Sequence, residues 1–321
     1  GVGAPMRPVV SHHVKTVERV DAFYAVRGWT PFPFQRATWE AYAQGASGLI
    51  HAPTGMGKSY AAWLGPLMAW IDEHPDPATW AKLPAPPLTV LWITPLRALA
   101  TDTTATLQAA GAELGLPWTV EKRTGDTASS AKTRQRQKPP SALVTTPESL
   151  SLLLSYAESE ALFRHLQCVV VDEWHELLGS KRGVQTELGL ARLRQWRPAL
   201  RVWGLSATLG NLDEALAVLV GVTRTDQPPP RLIAGEAPKV LRIDTLIPAT
   251  MERFPWAGHL GTRLLAPVVE AVQRARTTLI FTNTRAQTEL WFQALINAYP
   301  EFAGEIALHH GSIDPTLRAD I

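Results

Sequence analysis

The sequence predicts an α/β protein: a mostly parallel sheet domain, then the start of a second α/β unit. Three observations predict it. Short apolar runs recur, each followed by a longer amphipathic segment. The runs are near-continuous and not alternating, as expected of strands that helices cover on both faces. Polar residues gather just past the run ends, where open parallel sheets bind ligands.

The expected strands are GLIHAPTG (48–55), LTVLWIT (88–94), ALVTTP (142–147), CVVVDE (168–173) and RVWGLSAT (201–208). Helices are expected between them. After the fourth strand, Val184, Leu188 and Ala191 recur at one-face spacing. The pattern breaks at TDQPPP (225–230), because proline lacks the donor that a helix or a central strand needs. This gives a lead-in over 1–20, a first domain over 21–225, a linker over 226–240 and a second unit over 241–321. The second unit offers TTLIFTNT (277–284), a helical RAQTELWFQALINAY (285–299) and IALHHGS (306–312). Two or three strands make a poor independent domain, so the second unit reads as incomplete.

Composition narrows the function. The chain has 321 residues and is 45% hydrophobic, enough for a substantial core. Net charge is +2, so any polyanion surface must come from local arrangement. The single cysteine, Cys168, excludes an internal disulfide and a Cys-based zinc cluster. Twelve tryptophans sit mostly in apolar periodic segments and read as core. There is no secretory signal and no apolar run of about 20 residues, so a soluble, cytoplasmic protein is expected, with no membrane partner.

HAPTGMGKSYAAWL (51–64) follows a strand and opens a helix. Ala52 through Ser59 fit the Walker A spacing, with alanine for the first glycine. Thr54, Gly55, Met56 and Gly57 would form the loop that wraps phosphate oxygens with backbone N–H groups. Lys58 would neutralise the β- and γ-phosphates, and Ser59 would ligate Mg²⁺. The implied cofactors are ATP and Mg²⁺.

VVVDEWHELL (169–178) aims two adjacent acids past a buried strand. Acids at a helix N-terminus can be there for dipole reasons alone. Beside a phosphate loop they have a chemical use. Asp172 suits the metal and Glu173 suits the attacking water.

With these in place, the chain resembles superfamily 2 helicases. DEWH (172–175) looks like their DEXH motif, LSAT (205–208) like their third motif, and TPLRALA (94–100) and TTPESL (145–150) like their DNA-tracking motifs. Gln35 lies 23 residues before Lys58, where the superfamily carries an adenine-reading glutamine. Phe32 or Phe34 would stack on the base or pack the entry loop. RTGDT (123–127), DEWHELLGSKRGVQTEL (172–188), GLSATLGN (204–211), FTNTRAQTE (281–289) and LHHGS (308–312) narrow the resemblance to the Lhr (long helicase-related) family. RFPWAGHLG (253–261) is similar to its ligase-associated branch.

The resemblance implies two RecA-like domains, the second incomplete here, in an ATP-dependent 3′-to-5′ single-strand DNA translocase and helicase. It implies a DNA-repair role, acting on single-stranded or tailed duplex DNA, with a ligase among the partners and a monomeric state. His175, Ser206 and Thr208 would couple the γ-phosphate to domain closure. Thr94, Arg97, Gly125, Asp126, Thr146, Glu148 and Ser149 would lie near the DNA, as would Asn283, Arg285 and His310 in the second unit. Ser206 and Thr208 read also as caps of the helix begun by NLDEAL, although Asn211 or Asp213 is better placed. The basic stretch 121–138 reads equally as a phosphate surface or a solvated helix face.

The family's arginine motif, which reaches the γ-phosphate, has no counterpart: after Phe281 the arginines are Arg285 and Arg318. The chain is therefore expected to be part of a longer helicase. An RNA helicase and an ATP- and nucleic-acid-binding module without efficient turnover remain open. A small-molecule P-loop kinase is disfavoured by the ordered tracking motifs.

Overall fold

The computed structural model describes residues 10–55, 57–207, 210–222, 224–235 and 265–309. The chain divides into two compact units, with the boundary between Pro238 and Lys239.

The first unit is built on seven strands: β1 (Gly48–His51), β2 (Val90–Ile93), β3 (Val120–Arg123), β4 (Ala142–Thr145), β5 (Cys168–Val171), β6 (Arg201–Ser206) and β7 (Arg231–Ala234). All pairings are parallel, in the order β3-β4-β2-β5-β6-β1-β7. The helices are α1 (Val10–Ala25), α2 (Pro33–Ala43), α3 (Lys58–Glu73), α4 (Arg97–Glu113), α5 (Ser129–Gln137), α6 (Pro147–Leu154), α7 (Ser159–Leu162), α8 (Trp174–Leu177), α9 (Lys181–Trp196) and α10 (Leu212–Val220).

Strand pleating divides the apolar residues into two cores. Ile50, Trp92, Val144, Val170 and Trp203 join one with residues of α1 to α4. Leu49, Leu91, Ile93, Val169, Val171 and Val202 join the other with residues of α6 to α10. Both faces are therefore covered, which is why the central strands carry no polar alternation. Most tryptophans are core, as expected. Trp63, Trp92, Trp174 and Trp203 are fully buried, and three of their indoles donate to backbone carbonyls: Trp63 to Leu107, Trp174 to Ala215 and Trp203 to Ala46.

Several sequence expectations need correction. The lead-in over 1–20 contains most of α1, whose Thr16 hydroxyl donates to Asp72 on α3 at 2.6 Å. The linker over 226–240 contains β7, because a run after three prolines can still pair at a sheet edge. The first unit's sheet therefore extends through Ala234. On α9 the apolar stripe faces outward: Val184 is 53% and Leu188 68% exposed, and Ala191 is exposed too. The buried face is Gly183, Thr186, Gly189, Leu190 and Leu193. Small residues let α6 approach closely, with Leu150 and Leu154 resting on Gly189.

Gly183 fixes the entry to α9. A Cβ there would fall on the Leu177 carbonyl, which is backbone and cannot yield cheaply. Gly183→Ala is expected to cost about 1–3 kcal/mol, the usual penalty of overpacking, read as a lower urea midpoint. An unchanged midpoint would mean that the α8–α9 turn relaxes freely.

The second unit contains α11 (Leu265–Arg274) and α12 (Arg285–Ala298) among its described residues. The expected helix over 285–299 is present. The expected strand over 277–284 is not: no strand partner occurs there among the described residues, and Phe281 is 89% exposed. The run at 306–309 is likewise not a strand, and 310–312 lie outside the described residues.

Candidate nucleotide site and adjoining loops

The phosphate loop joins β1 to α3. Gly55 (φ 82°) and Gly57 (φ 81°) are left-handed, a region that side chains rarely adopt. Gly57 is doubly required, because a Cβ would lie 2.6 Å from the Gln35 side-chain nitrogen. Lys58 and Ser59 open α3, a 16-residue helix. The Lys58 ammonium donates to the Ala52 carbonyl at 2.6 Å and the Pro53 carbonyl at 3.1 Å. Burial holds its pKa below the usual lysine range, while Glu173 and Asp172 draw it back up. Both acids are thus near enough to the phosphate loop for their charge to act on Lys58. Met56 lies outside the described residues.

Gln35 is buried in α2, and its amide bridges two backbones. Its oxygen accepts from Phe32 N at 2.8 Å, and its nitrogen donates to the Gly57 carbonyl at 3.0 Å. Phe34 packs into the core, whereas Phe32 stacks on it and stays partly exposed.

The acids follow β5, whose end lies between β2 and β6. Asp172 N donates to the Ile93 carbonyl at 2.8 Å, extending the β5–β2 register by one residue. Burial, with Glu173 beside it, raises the Asp172 carboxyl to about 6. Glu173 has φ 49°, the sole non-glycine positive φ among the described residues. Such strain marks positions that the surroundings force. It turns the Glu173 carboxylate toward His175, whose Nε2 lies 3.0 Å away. The other ring nitrogen, Nδ1, is 3.2 Å from the Ser206 hydroxyl. With Nε2–H donating to the carboxylate, Nδ1 is left to accept from Ser206. Ser206 ends β6, beside β1, and its carbonyl accepts from Ala52 N at 3.1 Å. A continuous path thus runs from Glu173 through His175 to Ser206 and back to the phosphate loop. Thr208 lies outside the described residues. Asn211, not Ser206, caps α10, with its side chain accepting from Glu214 N at 3.1 Å.

The loops expected to track DNA leave the same end of the sheet, past the C-terminal ends of parallel strands. Thr94 is buried beneath its loop, not on the surface. Thr146 caps α6, accepting from Ser149 N at 3.3 Å. Arg97 pairs with Asp126 at 3.2 Å, joining the start of α4 to the Gly125–Asp126 turn on the surface. Glu148 is held by Arg182, a residue for which the sequence offered no role. In the basic stretch, Arg123 is buried and donates to the Lys132 carbonyl at 2.9 Å. Arg134 pairs with Glu121, Arg136 with Glu158, and Lys122 donates to Thr101. Four of its six cations therefore have partners within the chain, which favours the structural reading of that stretch. In the second unit, Asn283 N donates to the Gln287 side chain and Arg285 pairs with Glu289 along α12. His310 lies outside the described residues.

No cluster of three or more His, Cys, Asp or Glu able to hold a metal occurs among the described residues. No helix among them is long and apolar enough to cross a membrane.

Residues 32–215 match the DEAD/DEAH box helicase family. The chain is 33% identical over 292 residues to the Lhr helicase/probable uracil glycosylase of Mycolicibacterium smegmatis, spanning 85% of this chain and 18% of that protein. It is 32% identical over 288 residues to the ATP-dependent helicase Lhr-Core of Methanothermobacter thermautotrophicus, spanning 86% of this chain and 33% of that protein. The solved structure of Mycobacterium smegmatis helicase Lhr bound to ssDNA and AMP-PNP superposes with a TM-score of 0.64 at 29% identity, covering 95% of this chain and 39% of that one. The DUF1998 helicase MrfA gives a TM-score of 0.69 at 20% identity, a likeness of fold alone. The first unit is RecA-like on these comparisons. The chain spans about a third or less of the length of these curated relatives.

Proposed function

The chain belongs to the DEAD/DEAH box helicase family, and from that premise we propose that it is a DNA-stimulated ATPase of the Lhr type, a 3′-to-5′ single-strand DNA translocase and helicase. The carrying observation is the path from Glu173 through His175 to Ser206, set opposite Lys58. In this reading Glu173 is the base for hydrolysis, and the path ties it through the end of β6 to the phosphate loop. The relatives' names and the DNA-bound Lhr structure support the substrate.

In this reading, backbone N–H groups of the phosphate loop cradle the triphosphate and Lys58 neutralises it. Glu173 orients water and accepts its proton. Asp172 and Ser59 are the residues that would hold Mg²⁺. They fit it, since Mg²⁺ takes hard oxygen donors and is usually bound by one or two carboxylates plus substrate phosphates. The raised Asp172 pKa marks a carboxylate that a cation would relieve. When bound, the ion supplies charge neutralisation of the phosphates. Gln35 and Phe32 would contact adenine, Gln35 by exchanging its present partners, Phe32 N and the Gly57 carbonyl.

Loops at 94–97, 125–126 and 146–149 would follow the strand's backbone, with Asn283 and Arg285 adding contacts from the second unit. ATP binding would close the RecA-like domains and hydrolysis would release them, and this cycle would move the strand. Similarity of residues 253–261, which lie outside the described residues, supports a ligase-associated repair role. Unwinding of duplexes tailed at the 3′ end but not the 5′ end, and stronger ATPase stimulation by DNA than by matched RNA, are the expected results. Preference for RNA, or for a 5′ tail, would overturn the respective part.

A further inference from the structure

We propose that Arg182 is a positioning residue that sets the spacing of the two tracking loops and ties them to the segment bearing Asp172 and Glu173. This rests on the function argued above.

Arg182 lies in the first turn of α9. Its Nε is 2.5 Å from Glu148 Oε1, and a terminal nitrogen is 3.1 Å from Oε2. The same terminal nitrogen donates to the Pro95 carbonyl at 2.7 Å. Pro95 follows β2, Glu148 follows β4, and α9 continues the segment that leaves β5. Since β4, β2 and β5 are consecutive in the sheet, one guanidinium joins the segments that follow three adjacent strands: the start of α6, the Pro95 loop and the start of α9.

The turn before α9 aims this side chain. Gly179 (φ 80°) reverses the chain after α8. The Ser180 hydroxyl then accepts from Gly183 N at 3.1 Å and donates to the Leu177 carbonyl at 2.6 Å.

Stability does not account for the arrangement. Arg182 and Glu148 side chains are 40% and 53% exposed, and so wet an ion pair contributes only about 0–1 kcal/mol. Geometry does account for it. A planar fork holds a carboxylate bidentately and a carbonyl in one fixed geometry, whereas an ammonium is a shorter point charge with rotatable donors. Glu148 also changes meaning. A carboxylate repels phosphate, so its place in a tracking loop makes sense as the anchor for Arg182.

The test uses the full chain, fluorescence anisotropy with labelled oligothymidylate, and the variants Arg182→Lys, Glu148→Gln and their combination. Each single variant is expected to weaken binding about tenfold, within the range by which residues remote from a ligand tune coupling. The double variant is expected to be no weaker than either, because both break one contact. Arg182→Lys keeps the charge, so a salt slope reduced by about one or more reports phosphates lost from register. The urea midpoint is expected to stay at the wild-type value. Wild-type affinity and slope in Arg182→Lys would overturn the proposal, as would additive losses or a midpoint falling in step with affinity. Failure of the wild-type chain to bind the oligonucleotide would instead overturn the functional reading, and this proposal with it.

Discussion

Glu173→Gln is expected to lower the single-turnover rate of ATP hydrolysis by about 10²- to 10⁴-fold, the usual worth of a positioned general base, with ATP binding retained. The substitution keeps shape, and the amide oxygen can still accept from His175 Nε2, which lies 3.0 Å from the carboxylate. What it loses is the ability to take a proton from water. The strained φ of 49° at this position supports a functional reason for its placement. A loss of less than tenfold would assign the water to another group and reduce Glu173 to a partner of His175.

Asp172→Asn is expected to have opposite effects on activity and stability. Turnover is expected to fall, since the proposed role is to hold a hard cation and a neutral amide is a poor ligand for one. Stability at pH 7.5 is expected to rise. The folded carboxyl titrates near 6, above the value of about 4 for an unfolded chain, mainly because it is buried and then because Glu173 is close. Between those values the folded state binds more protons than the unfolded one. Stability therefore falls as pH rises through that window, and the penalty is complete above it. A shift of about two units corresponds to about 3 kcal/mol, which residual solvent contact reduces. Asparagine removes the charge and can keep the bond from Glu173 N to the side-chain oxygen, 2.9 Å in the wild type. Urea unfolding without nucleotide or Mg²⁺ should show the variant more stable by about 1–3 kcal/mol at pH 7.5 and level with wild type near pH 4. A variant less stable at pH 7.5 would show that the carboxylate is not under strain.

Much of this architecture is legible in the sequence, for identifiable reasons. β1, β2, β4, β5 and β6 are central and covered on both faces, so they appear as unbroken apolar runs. The two edge strands do not. β3 reads VEKR, with its middle residues solvated, and β7 follows a proline run. The buried face of α9 is not visible as an apolar stripe, because close packing there depends on Gly183 and Gly189, which carry no hydrophobic signal. The run over 277–284 has no strand partner among the described residues, and a strand needs a partner as well as an apolar pattern.

The site divides in the same way. The phosphate loop and the acid pair announce themselves, because glycines, a lysine and adjacent carboxylates at a strand end have few structural uses. Residues that act through others stay hidden. Thr94 and Glu148 read as contacts with a ligand, yet one lies buried under its loop and the other is held by Arg182. Arg182 sits within the recognised stretch 172–188 but looks like any solvated helix charge until Pro95 and Glu148 are brought to it.

Steady-state ATP hydrolysis with Mg²⁺, measured with and without single-stranded DNA for the wild type and Glu173→Gln, tests the central claim most directly. The predicted result is turnover that DNA stimulates and that the substitution abolishes. Turnover indifferent to DNA, or undiminished in the variant, would contradict it.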